Sequence, residues 1–154
     1  MFTKEIVEFL EKNEFIVIGT CSDDMQPNVA PKFLLKVEGD CIFLGDYTID
    51  RTWSNINFNP KVSLSSIDLD SLVGYQINGV VELVEEGDVY ESLIDEFNTK
   101  KISLSTKRVI DGVHKEKPYK EFEMIFPERV IIYKIKAKEI IKIRPTGEVE
   151  RKKV

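Results

Sequence analysis

Runs of β-favouring residues, separated by turns too short to hold a helix, constrain the first half of this chain more than any other feature. Phe15 to Thr20 reads Phe-Ile-Val-Ile-Gly-Thr, and Cys21-Ser-Asp-Asp-Met-Gln-Pro after it supplies turn chemistry. A second strand pattern covers Asn28 to Val37, with Phe33-Leu34-Leu35 apolar on both faces. Glu38-Gly39-Asp40 then turns the chain into a third, Cys41 to Gly45. Parallel neighbours need a crossover of about a dozen residues, so connections this short predict antiparallel pairing.

The pattern continues after an interruption. Val62 to Ile67 is a fourth strand, and Asp68 to Ser71 turns it into the cleanest alternation in the sequence. Val73, Tyr75, Ile77, Gly79, Val81 and Leu83 fall on one side of this fifth strand, with Gln76, Asn78 and Glu82 on the other. Late β character returns at Phe122 to Phe126, Val130 to Ile135 and Ile140 to Ile143, and the tail Arg151-Lys-Lys-Val is expected to fray.

Helices are expected at three places. Thr3 can cap a first one carrying Ile6, Val7, Phe9 and Leu10. A short one lies between Gly45 and Pro60, and a third of roughly ten residues starts at Asp88-Val-Tyr-Glu91, with Leu93, Ile94 and Phe97 at helical spacing. Residues 98 to 121 are lysine-rich and carry the weakest pattern, enough for a short second helix. Together these elements predict a mainly β fold: a small closed or partly closed antiparallel barrel with peripheral helices, in one domain spanning residues 1–154.

Composition narrows the function. The 154 residues are 42% hydrophobic, enough for a core without metals or disulfides, and a net charge of −5 from 27 acidic and 22 basic residues gives no field for nucleic acid or an anionic membrane. The charged first twenty residues hold no signal peptide, and no run is long enough to span a bilayer, so a cytoplasmic protein is expected. Cys21 and Cys41 sit in strand-like runs as packing residues, and the single His114 in a lysine-rich stretch leaves no set of metal ligands. No Gly-x-Ser-x-Gly or paired acid/base arrangement is present, so no catalytic side chain is assigned. Difficult chemistry would have to come from an organic cofactor.

The segment Gly45 to Pro60 is where a ligand could be held. A helix beginning near Thr48 or Asp50 would point free N–H groups and a positive dipole end at an anion, with Arg51 and Thr52 in its first turn. The same residues fit a plain capped connection, with Asp50 as the cap.

The ordered set Gln26-Pro-Asn-Val-Ala-Pro-Lys-Phe, Gly39-Asp-Cys-Ile-Phe-Leu-Gly-Asp, Asp50-Arg-Thr-Trp-Ser-Asn-Ile-Asn-Phe-Asn-Pro-Lys-Val and Tyr75-Gln-Ile-Asn-Gly resembles the pyridoxamine 5′-phosphate oxidase-like, FMN-binding split-barrel family. The resemblance covers about residues 3 to 85 and implies an antiparallel Greek-key split barrel that binds FMN as a homodimer and works as an oxidoreductase on an unspecified substrate. A non-catalytic dimeric module that binds a flavin or another small ligand is the alternative. By position, the resemblance implies Pro31, Lys32 and Phe33 along the flavin and ribityl chain, Asp46, Tyr47 and Thr48 lining the same cleft, Arg51 and Thr52 on the phosphate, and Gln76 reaching the flavin from the partner or a neighbouring strand. Where the family reads Ser-Arg-Lys this chain reads Asp50-Arg51-Thr52, which removes one positive charge and adds a negative one. The chain also lacks the C-terminal Arg-Leu-x-Pro of the true oxidases, so that activity is not expected.

Overall fold

The computed structural model describes residues 1–114 and 129–154. Seven strands and three helices follow one another as α1 (Lys4–Glu11), β1 (Phe15–Cys21), β2 (Pro27–Glu38), β3 (Cys41–Asp46), α2 (Arg51–Phe58), β4 (Lys61–Ile67), β5 (Gly74–Val84), α3 (Asp88–His114), β6 (Ile131–Ile143) and β7 (Val149–Lys153). The sheet runs β3-β2-β1-β4-β5-β6-β7, and a further β3–β6 pairing closes the first six strands into a barrel. Every pairing is antiparallel, as the short turns require. The expected antiparallel barrel is the fold.

Strand alternation sets the two faces. Ile16, Ile18, Leu34, Ile42, Leu44, Leu64, Ile77, Tyr133 and Ile135 fill the barrel, and Phe2 with Ile6 and Leu10 of α1 joins the same core. The Thr3 side chain accepts from the Ile6 N–H, so the predicted cap starts α1. A second cluster lies outside the barrel, where Leu93 and Phe97 of α3 cover Phe33, Leu35, Phe43 and Ile132. The two apolar faces of β2 are therefore satisfied within the chain, one in the barrel and one beneath α3.

Three elements differ from expectation. α3 is one helix of 27 residues, not a ten-residue helix with a short second one. No proline interrupts it, and a helix of that length reaches about 40 Å. The stretches expected as Val130 to Ile135 and Ile140 to Ile143 merge into one strand, β6, because Lys136 and Ala137 stay paired with Val80 and Gly79 of β5 and the ladder resumes at Glu139 after a bulge at Lys138. The tail expected to fray is β7, paired with β6 from Ile143↔Val149 to Glu139↔Lys153. The expected strand Phe122 to Phe126 lies outside the described residues.

Candidate functional site

Cross-strand register assembles one continuous outer face from β2, β1, β4 and β5. Pro31 pairs with Val17, Val17 with Ser65 and Ser65 with Gln76, so these four residues form a row across four strands. The next row holds Val29, Gly19, Ser63 and Asn78. Pro31 and Gln76 thus share a face but stand three strand spacings apart, about 14 Å. Gln76 Nε2 donates to Ser63 Oγ at 3.2 Å and Asn78 Oδ1 at 3.0 Å. A depression of about 490 Å³ on this face is bordered by Gly19, Ser63, Asn78 and Val80.

Alternation also separates the three residues expected to lie side by side on β2. Pro31 is exposed on the outer face, whereas Phe33 is buried beneath α3, with its ring 4.5 Å from Phe15, 5.1 Å from Phe97 and 5.9 Å from Tyr47. Lys32 has the opposite parity and points into the barrel, where Nζ lies 2.6 Å from Asp46 Oδ2. Its side chain is only 6% exposed and that of Asp46 3%, so this is a buried ion pair.

Asp46 is fully engaged. Besides Lys32 it accepts from the Thr48 N–H at 2.9 Å, Thr48 Oγ1 at 2.7 Å and the Tyr133 hydroxyl at 3.2 Å. Burial and the adjacent carboxylate push the Tyr133 phenol far above its ordinary range, so it remains a donor. Lys32 Nζ also reaches Thr48 Oγ1 at 3.3 Å. Four residues from β2, β3, β6 and the following loop thus fix the segment that leads into α2.

The start of α2 is where the sequence left two readings open. Asp50 occupies the N-cap position in extended backbone, but its side chain makes no capping hydrogen bond. The first intrahelical bond, from the Ser54 N–H to the Asp50 carbonyl, forms at 3.1 Å. The N–H groups of the first turn are therefore left without a side-chain acceptor. Arg51 beside them is exposed, and among the described residues it makes no hydrogen bond or ion pair. The Asp24 carboxyl, in the β1–β2 turn, is held below its ordinary range, first by the Ser22 hydroxyl and in smaller part by the Arg51 charge.

Thr52 is buried, not exposed with Arg51, and its Oγ1 accepts from Asn28 Nδ2 at 3.1 Å. Asn28 Nδ2 also lies 3.3 Å from Thr20 Oγ1, which accepts from Asn55 Nδ2 at 3.0 Å. This polar chain docks α2 onto the β1–β2 hairpin and orients its first turn. Sequence reasoning missed Asn28 and Tyr133. The only signal for Asn28 is an amide at the start of a strand, opposite a threonine in the hairpin register.

The structure thus brings Lys32, Asp46 and Thr48 together, keeps Arg51 and Thr52 on adjacent positions of one helix turn, and leaves Gln76 apart from them within the chain. The arrangement can hold an anion at the α2 start, beside a partly apolar outer face. Among the described residues, nothing on it lines up a nucleophile with a base.

Comparison with known proteins agrees with this architecture. A protein from Clostridium acetobutylicum related to general stress protein 26, of the pyridoxinephosphate oxidase family, superposes with a TM-score of 0.65 over 97% of this chain and 92% of its own, at 18% identity. A pyridoxamine 5′-phosphate oxidase-related, FMN-binding protein from Nostoc punctiforme gives 0.60 over 100% and 98%, at 11% identity. At these identities the likeness is one of fold. An uncharacterized protein of Methanocaldococcus jannaschii is 37% identical over 89 residues, which is 56% of this chain and 58% of that protein. The family model for pyridoxamine 5′-phosphate oxidase matches residues 2–140, nearly the whole barrel, and the chain belongs to that family.

Proposed function

We propose that the chain is an FMN-binding, oxidoreductase-like protein that works as a homodimer in the cytoplasm. The observation that carries this reading is the start of α2: uncapped first-turn N–H groups next to Arg51, which makes no hydrogen bond or ion pair among the described residues. That donor set suits the terminal phosphate of FMN, because charge-assisted bonds from a guanidinium and the helix dipole act on the same anion. Arg51 and the Thr52 N–H would hold the phosphate, and Thr48, Tyr47 and the Pro31 edge of β2 would border the ribityl chain and ring. Lys32, Asp46 and Phe33 would act from behind, by fixing that wall. Bound FMN would supply the hydride or electron chemistry that this chain's side chains lack.

Homodimerisation is supported by the outer face, where Val17, Val29, Ile67 and Val80 are exposed on adjoining strands. A second copy on that face could also bring a Gln76 to the first copy's cleft, which the 14 Å within one chain does not allow.

FMN titration followed by flavin fluorescence tests the reading. The wild type is expected to quench FMN saturably, and Arg51→Ala to bind roughly tenfold or more weakly, the loss of one charge-assisted contact. No binding at tens of micromolar FMN would end this reading. One observation favours a second reading, a non-catalytic flavin or small-ligand module: the N-cap residue directly before Arg51 is an aspartate, Asp50, whose charge would oppose a phosphate there. FMN that binds but is reduced by no nicotinamide donor would select it, and a deazaflavin would be recognised by its own fluorescence spectrum.

A further inference from the structure

The sheet does not end where the barrel closes, and its inner face continues past β6 onto β7. Register places Tyr75, Lys142 and Glu150 in one row of this face, and Ile77, Ile140 and Lys152 in the next. α1 forms the opposite wall. Between them lies a cavity of about 460 Å³ bordered by Ile6, Tyr75, Ile140, Lys142, Arg144 and Lys152. That volume is in the range of small-molecule sites. The cavity lies at the Gly74 end of β5, where β5 faces Ile67. The α2 docking network lies at the other end of the barrel strands, near Thr20 and Asn28, and Gln76 projects from the other face of β5.

The chemistry of the walls is divided. Ile6, Ile140 and the Tyr75 ring give an apolar floor, and the ring is held by the edge of Phe9 at 4.6 Å. Two cations are already balanced: Lys142 Nζ lies 2.6 Å from Glu5 Oε1, and Arg144 Nη2 lies 2.6 Å from Glu150 Oε1. The Tyr75 hydroxyl donates to the same Glu5 oxygen at 3.2 Å. Two donors are left over. Arg144 Nε is buried without a hydrogen bond: Glu148 Oε2, 3.7 Å away, pairs with it by charge but lies beyond hydrogen-bond range. Lys152 makes no ion pair or hydrogen bond among the described residues, although it borders the cavity directly. A buried donor without an acceptor is costly, and an anion supplied from outside would satisfy it.

We propose that this cavity is a second ligand site, for a small organic carboxylate with an apolar body. The body lies on Tyr75, Ile140 and Ile6, and the carboxylate, with two acceptor oxygens, takes Lys152 and Arg144. The site does not depend on flavin binding at α2. A neutral amide of the same shape offers one acceptor oxygen instead of two and carries no charge, so charge sets the specificity.

The test uses 2-naphthoate as the probe and 2-naphthamide as its neutral isostere. Calorimetry and amide chemical shifts are followed on the full chain, with and without saturating FMN. Expected are saturable naphthoate binding, shifts centred on Tyr75, Lys142 and Arg144, and no displacement by FMN. Naphthamide should bind much more weakly. Lys152→Glu reverses an exposed charge on β7 and should weaken naphthoate about tenfold, with Lys152→Arg restoring it. Equal affinity for acid and amide, an unaffected Lys152→Glu, shifts confined to the α2 side, or no binding at all would each overturn the proposal. Unchanged thermal unfolding of Lys152→Glu separates a lost site from a lost fold.

Discussion

The side chains that hold this molecule's candidate site in place are mostly not the ones that would touch a ligand. Lys32 and Asp46 neutralise each other inside the barrel, and their pairing fixes Thr48 by both its N–H and its hydroxyl. A buried pair is costly to break from one side, since the remaining charge stays desolvated. Lys32→Met is therefore expected to lower unfolding stability by about 3–5 kcal/mol, measured from denaturant midpoints. The double replacement Lys32→Met with Asp46→Leu should lose less than that single one. Parity could have predicted the inward placement of Lys32, because it lies between Pro31 and Phe33, which share a face. A lysine on a strand reads as surface, however, and only Asp46 and Tyr133 explain why this one is not. Arg51 was legible as a residue beside a helix start. That Asp50 does not cap through its side chain depends on a backbone conformation the sequence does not encode locally.

At the level of elements, α3 decides how much of the outer barrel is dry. Leu93 and Phe97 lie on Phe33 and Leu35, and Lys100 Nζ bonds the Leu34 and Leu35 carbonyls at 2.7 and 2.6 Å, where the β2–β3 register shifts. Gly45 belongs to the same contact, because a Cβ there would meet the Phe97 ring at 2.7 Å. Phe97→Ala is expected to cost about 3–5 kcal/mol and to speed amide exchange along α3 before the barrel strands, as read by hydrogen exchange. The first turns of α3 were legible because Leu93, Ile94 and Phe97 repeat at helical spacing. Its far half was not, since Ile102 and Ile110 are exposed and, among the described residues, Leu104 alone there packs on the outer cluster, too little to impose a period. β7 was missed for the opposite reason. Val149-Glu-Arg-Lys-Lys153 is exposed throughout, and an edge strand needs only its partner's backbone.

For the whole molecule, closure was legible and its bookkeeping of strands was not. Short turns and the alternation from Val73 to Leu83 already required an antiparallel barrel, but β6 pairs with three strands at once, β3 and β7 on successive stretches of one edge and β5 on the other. If the outer face joins two copies, Val29→Lys places a charge on it, where 69% of the valine surface is exposed in the single chain. Sedimentation velocity should then shift from twice the 17.8 kDa chain mass toward one, while the far-ultraviolet circular dichroism stays unchanged. β7 bears on the chain's behaviour at high concentration. Without it, the Ile140 to Ile143 stretch of β6 would offer an open row of backbone donors and acceptors flanked by isoleucines, a template for stacking between molecules. By covering that row with five exposed residues, four of them charged, the chain carries its own protection against aggregation.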